Sequence, residues 1–71
     1  RRNPVDGVEI MKIFGLPQSP TVGFFASNLK QAIKDCEIED TREAALAYLL
    51  DLAAKNDIPV VNYPEELEKK Q

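Results

Sequence analysis

Gly15-Leu16-Pro17-Gln18-Ser19-Pro20 ends one helix and starts another within six residues. Gly15 carries no Cβ, so it can take the left-handed conformation in which helices stop. Leu16 then folds back on Met11, the apolar contact that accompanies such an ending. Ser19 stands where an N-cap is wanted. Pro20 suits the first helical position, where its missing N–H costs nothing. A tight link between two opposed end signals predicts a helical hairpin.

Working back from this turn, Asp6 can cap a free amide while Glu9 reaches back to it, and Ile10, Ile13 and Phe14 form one apolar face with Val8 and Met11 beside it. The first helix is expected over residues 7 to 14. Working forward, Val22, Phe25, Ala26, Leu29, Ile33 and Cys36 recur at helical spacing and fall within about 100° of the helix circumference. The second helix is expected from Pro20 to Asp35, with Cys36 continuing its buried stripe as an inert thiol. An extended joint, Glu37-Ile38-Glu39, leads to Asp40-Thr41-Arg42-Glu43, a second Asp-x-x-Glu box. The third helix is rich in Ala and Leu and ends near Asn56. Its apolar residues cover more than half its circumference, so it should meet helices on two sides. Pro59 and Pro64 keep the stretch from Ile58 extended, and the charged end from Glu65 to Gln71 has the makings of one helical turn. The fold expected is a small all-α domain of three main helices, with a helical unit over 1–56 and an extended, charged tail over 57–71. Tyr48 and Tyr63 are both expected partly buried.

The 71 residues form one small domain with a formal charge of −3, too acidic for a module that grips nucleic acid by bulk charge. That sum conceals two unlike halves. Residues 1–34 hold five basic and two acidic side chains, +3, whereas residues 35–71 hold four basic and ten acidic, −6. With no His and one Cys, thiolate–imidazole zinc sites, Ser–His and Cys–His catalytic pairs and disulfides are excluded. The longest apolar run, Ala44 to Leu50, is far too short for a membrane span. Without an initiator Met, the chain reads as a piece of a longer, intracellular protein. Asp35, Glu37, Glu39, Asp40 and Glu43 are the densest acidic cluster, but they lack the order of a calcium loop and read as solvated surface. No catalytic constellation and no metal site are expected.

The polar face of the second helix is more suggestive. Gly23, Ser27, Lys30 and Lys34 fall in one strip beside the apolar stripe. Gly23 permits close backbone approach, Ser27 can donate a hydrogen bond, and the lysines can meet neighbouring phosphates. Pro20 and Thr21 set the helix start, whose amides favour an anion. Two readings are open: a phosphate-contacting face, or a glycine that lets helices pack closely and lysines that keep a helix soluble. Phe24 lies opposite the buried stripe and should be exposed, free to stack on a base or to dock on a neighbouring domain.

Asn3-Pro4-Val5-Asp6-Gly7, Glu9-Ile10-Met11 and Gly15-Leu16, followed by Pro20, Val22, Gly23, Leu29, Ile33, Glu37-Ile38 and Glu43-Ala44-Ala45, resemble the C-terminal region of class II CCA-adding tRNA nucleotidyltransferases, relatives of bacterial poly(A) polymerases. The resemblance spans residues 3 to 54 and rests on order and spacing. It implies a cytoplasmic, RNA-positioning function in tRNA processing. The partners implied are the backbone of the tRNA acceptor arm and elbow and the parent's N-terminal domains. Catalysis, with Mg, CTP and ATP, would reside in a head that these residues do not include, so the fragment needs no cofactor. The sequence departs from the family pattern at Gln18-Ser19, where Pro-Gly is usual, at Cys36, where a helix-ending Gly is usual, and at Phe24, commonly polar. Two other readings stand beside it: a helix-hairpin-helix module on duplex DNA, and a structural docking domain that touches no nucleic acid.

Overall fold

A computed structural model describes residues 3–68. Four helices follow in order: α1 Gly7–Phe14, α2 Pro20–Lys34, α3 Arg42–Lys55 and a single turn, α4 Glu65–Glu68. The domain is all-α, as its end signals require. α1 packs on α2, α2 on α3, and α3 on α4, so the Ala-rich helix does meet neighbours on two sides. The tail expected over 57–71 is described as far as residue 68. Residues 1, 2 and 69–71 lie outside the described part.

The core is aliphatic with an aromatic centre. Ile10, Ile13 and Phe14 from α1, Val22, Phe25 and Leu29 from α2, and Ala45, Leu46, Leu49 and Ala53 from α3 are buried together with Val5. Phe25 stacks face to face on Phe14, with ring centroids 4.5 Å apart and planes within 4°. Ala32, absent from the expected stripe, is buried too, while Ala26 and Ile33 are half-buried at its edges. Val8 is exposed.

The three main helices end in the same way, with one left-handed residue whose following amide bonds back to an orphan carbonyl. At the end of α1 this is Gly15, with φ +60°, and the Leu16 N–H donates to the Met11 carbonyl over 2.9 Å. At the end of α2 it is Cys36, with φ +58°, where Glu37 N–H donates to the Ala32 carbonyl over 2.9 Å and Cys36 N–H to Ile33 over 3.0 Å. At the end of α3 it is Asp57, with φ +57°, where Ile58 N–H donates to the Ala53 carbonyl over 2.9 Å.

This corrects the expectation for Cys36. The helix stops at Lys34, with Asp35 as its cap. The left-handed turn carries Cys36 out of the helical phase and leaves it exposed. Its thiol is therefore no part of the core, and a Cβ-bearing residue holds a conformation that costs L-residues about 1–2 kcal/mol. Cys36→Gly is expected to stabilise the domain by about 1 kcal/mol after the larger chain entropy of glycine is subtracted. A urea titration reads this as a higher midpoint at unchanged slope, whereas a lower midpoint would mean the turn tolerates the side chain without strain.

The start signals also need correction. Asp6 caps α1, its Oδ1 accepting from Glu9 N–H over 3.0 Å, but the Glu9 carboxylate does not reach back, because it pairs with Arg42. The cap of α3 is Thr41, whose Oγ1 accepts from Ala44 N–H over 3.2 Å, and not Asp40 one residue earlier. Ser19 sits at the N-cap of α2 with extended backbone but makes no side-chain capping bond. Its Oγ is buried without a hydrogen-bond partner among the described residues.

The extended stretch after α3 closes the fold. Val61 N–H and Asn62 N–H both donate to the Ile13 carbonyl, over 2.8 and 2.9 Å. Asn62 Nδ2 donates to the Lys12 carbonyl over 2.8 Å. The segment thus satisfies carbonyls at the end of α1 that the helix itself leaves open. Pro64 is buried, Ile58 and Leu67 pack against the core, and Tyr63 is exposed rather than partly buried.

Candidate nucleic-acid interface

α2 positions the strip singled out from the sequence. Gly23, Ser27, Lys30 and Lys34 follow one another at i, i+4, i+7 and i+11, and all four are exposed, so they line one side of the helix. A Cβ built on Gly23 would meet nothing within 4 Å. No other part of the described chain presses on this glycine, so close packing within the domain is not its role. Lys30 and Lys34 stand one helical turn, about 6 Å, apart. Among the described residues the ion pairs are those of Arg42 with Glu9 and Glu66 and of Lys55 with Asp51, and neither Lys30 nor Lys34 takes part in one. The two ammonium groups are therefore available to an outside anion.

The first turn of α2 is less open to an anion than its sequence implies. Val22 N–H and Gly23 N–H both donate to the Ser19 carbonyl, over 3.1 and 3.4 Å, and Pro20 has no N–H. The full positive charges of the face are thus those of the side-chain strip, to which the helix start adds a partial one.

Pro20 and Thr21 also stand beside Phe24. Together with Asn56 and Ile58, from the end of α3 and its exit turn, they line a groove of about 360 Å³. Phe24 is 39% exposed and meets the buried Phe25 edge to face, with centroids 5.8 Å apart and planes at 66°. Asn56 Nδ2 donates to the Leu52 carbonyl over 2.8 Å, which fixes the amide. Asn56 and Ile58 had no signal in the sequence beyond marking a helix end. They reach Phe24 because α3 returns alongside α2.

A second, larger cleft of about 790 Å³ lies between α1, the start of α3 and α4, lined by Asp6, Glu9, Lys12, Arg42 and Glu66 among others. Arg42 spans it. Its guanidinium is bonded to both Glu9 oxygens, to the Glu66 carboxylate through Nε over 2.9 Å, and to the Pro4 carbonyl over 3.4 Å. Glu9 first, and then Glu66, push the Arg42 pKa further up, so the joint stays charged. Arg42 is partly exposed to water, which limits what these pairs are worth. Arg42→Ala is expected to cost about 1 kcal/mol and to raise hydrogen exchange in α4 above that in α2, while equal protection of α4 in both forms would remove its role as a fastener.

Among the described residues no three His, Cys, Asp or Glu side chains lie close enough to share a metal ion, and no helix is long and apolar enough to cross a membrane. Comparison of the chain with protein-family models, with curated proteins and with solved structures returns no match.

Proposed function

We propose that this chain is a tRNA-contacting C-terminal region of a CCA-adding nucleotidyltransferase, non-catalytic in itself, that holds RNA by its backbone in the cytoplasm. The observation that carries this reading is the strip on α2: two unpaired lysines one turn apart, a serine between them and the helix start, and a glycine with open space over it. Such a face meets phosphates without reading bases. The basic balance of residues 1–34, which hold the strip, supports it. The order of Gly15, Leu16, Pro20, Val22 and Gly23 supports the family. In this reading nucleotidyl transfer, with its Mg, CTP and ATP, belongs to the parent's head, and the partners are the tRNA acceptor arm and elbow together with that parent.

Titration with tRNA is expected to shift amide signals of residues 19 to 34 and to lose that effect with salt. Lys30→Glu with Lys34→Glu should weaken binding and lower the slope of log affinity against log salt by about two. Shifts confined to α3 and the tail would overturn the reading. A docking domain without RNA contact is favoured by one observation, the exposure of Phe24 beside a groove. It expects the lysine reversals to leave RNA binding unchanged while Phe24→Ala releases the domain from its parent.

A further inference from the structure

We infer that the groove between α2 and the end of α3 takes one unpaired nucleobase, stacked on Phe24, from a strand whose phosphates lie on the Ser27, Lys30 and Lys34 strip. This rests on the RNA reading above and adds a base site to it. The first support is the ring itself. Phe14, Phe25 and Phe24 form a continuous aromatic series from the core to the surface, with centroid steps of 4.5 and 5.8 Å. Phe24 is the outer member, with an edge contact to a buried ring on one side while 39% of it remains exposed. An exposed aromatic held by a packed neighbour is a stacking platform, because it binds a π-face without first having to be ordered.

The second support is what surrounds the ring. Pro20 and Ile58 supply apolar walls, and Asn56, with its Nδ2 committed to Leu52, keeps Oδ1 as an acceptor for a base N–H or exocyclic amine. The third is placement. Ser27 follows Phe24 by three residues and Gly23 by four, so it joins the groove to the lysine strip on adjoining faces of α2. A groove meant for an apolar protein partner would gain nothing from unpaired lysines beside it. A nucleotide uses both, its base in the groove and its phosphates on the strip.

The test compares a short single-stranded oligoadenylate with a ribose-phosphate strand of equal length that lacks bases, both on the full 71-residue chain. Oligoadenylate should move the Phe24 ring protons upfield, as stacking does, and the baseless strand should not. Phe24→Ala should weaken oligoadenylate about tenfold and leave the baseless strand unchanged, with Phe24→Trp restoring the affinity. Helical circular dichroism confirms that each variant is folded. If Phe24→Ala binds both strands as the parent chain does, while Lys30→Glu with Lys34→Glu weakens both, the base site is overturned and the phosphate reading survives. If the lysine reversals change nothing, the RNA reading falls and the base site with it. If the chain sediments as a dimer that Phe24→Ala dissolves, the groove is a protein contact and the proposal is wrong.

Discussion

Phe25→Ala should leave the chain largely unfolded at room temperature. The side chain is fully buried and its ring touches two others, stacked on Phe14 and edge-on to Phe24. Removing a buried Phe costs about 3–5 kcal/mol through lost transfer energy and the cavity left behind. A domain below about 80 residues rarely holds more than that in total. No disulfide is available to limit the unfolded state, since the chain has a single cysteine. The variant should show little helical circular dichroism and no cooperative melt, whereas Phe25→Leu, which keeps most of the volume, should remain folded with a lower midpoint. A cooperative melt for Phe25→Ala near that of the parent chain would mean the core does not depend on the aromatic centre.

Gly15→Ala should be the next most damaging change, for two separable reasons. Gly15 has φ +60°, which costs an L-residue about 1–2 kcal/mol. An added Cβ would also stand 2.8 Å from Val61 Cγ2 and 3.3 Å from Val61 Cβ. Val61 cannot simply withdraw, because its N–H and that of Asn62 are tied to the Ile13 carbonyl and Asn62 Nδ2 to Lys12. Overpacking of this kind adds about 1–3 kcal/mol. A double-mutant cycle separates the two parts. Val61→Ala removes the Cγ2 that would stand at 2.8 Å, so it should return most of the steric share to the Gly15→Ala background and leave the conformational share in place. Equal losses with and without Val61 would show that the backbone alone matters here.

These two positions illustrate how unevenly the fold could be read. The hairpin was legible because both its end signals are local: a glycine where a left-handed residue is needed, and a proline where an amide is spare. The bounds of α1 and the start of α2 followed directly. At Cys36 the helical wheel fails because it assumes that the helix continues; the chain leaves it at Lys34, and the left-handed Cys36 sits where the resemblance puts a helix-ending glycine. Glu9 misled for a different reason. Its short-range partner, the Asp6 backbone, competes with Arg42, which is 33 residues away in the chain and offers a charged fork. Thr41 displaced Asp40 as a cap by a one-residue shift that propensity does not resolve.

The candidate face divides in the same manner. Gly23, Ser27, Lys30 and Lys34 share a side of α2 because 3.6 residues make a turn, so spacing alone placed them together. Their freedom from ion pairs, and the open space over Gly23, depend on which elements pass nearby. Pro20 and Thr21 set the helix start beside the lysines, and the return of α3 also makes them the wall of a groove with Phe24, Asn56 and Ile58.

The sequence alone settled what depends on neighbours in the chain: an all-α domain, the helical hairpin, the position of three helices, the exposure of Phe24 and the alignment of the α2 strip. These follow from capping, periodicity and backbone preference, which act over four or five residues. Only the tertiary structure decided that Arg42 fastens α1 to α3 and α4, that Asn62 closes the end of α1, and that Phe24 opens onto a groove. Each of those joins residues 24 or more apart. Such pairs form because burying the apolar faces brings them together, and no local rule of the chain specifies that meeting.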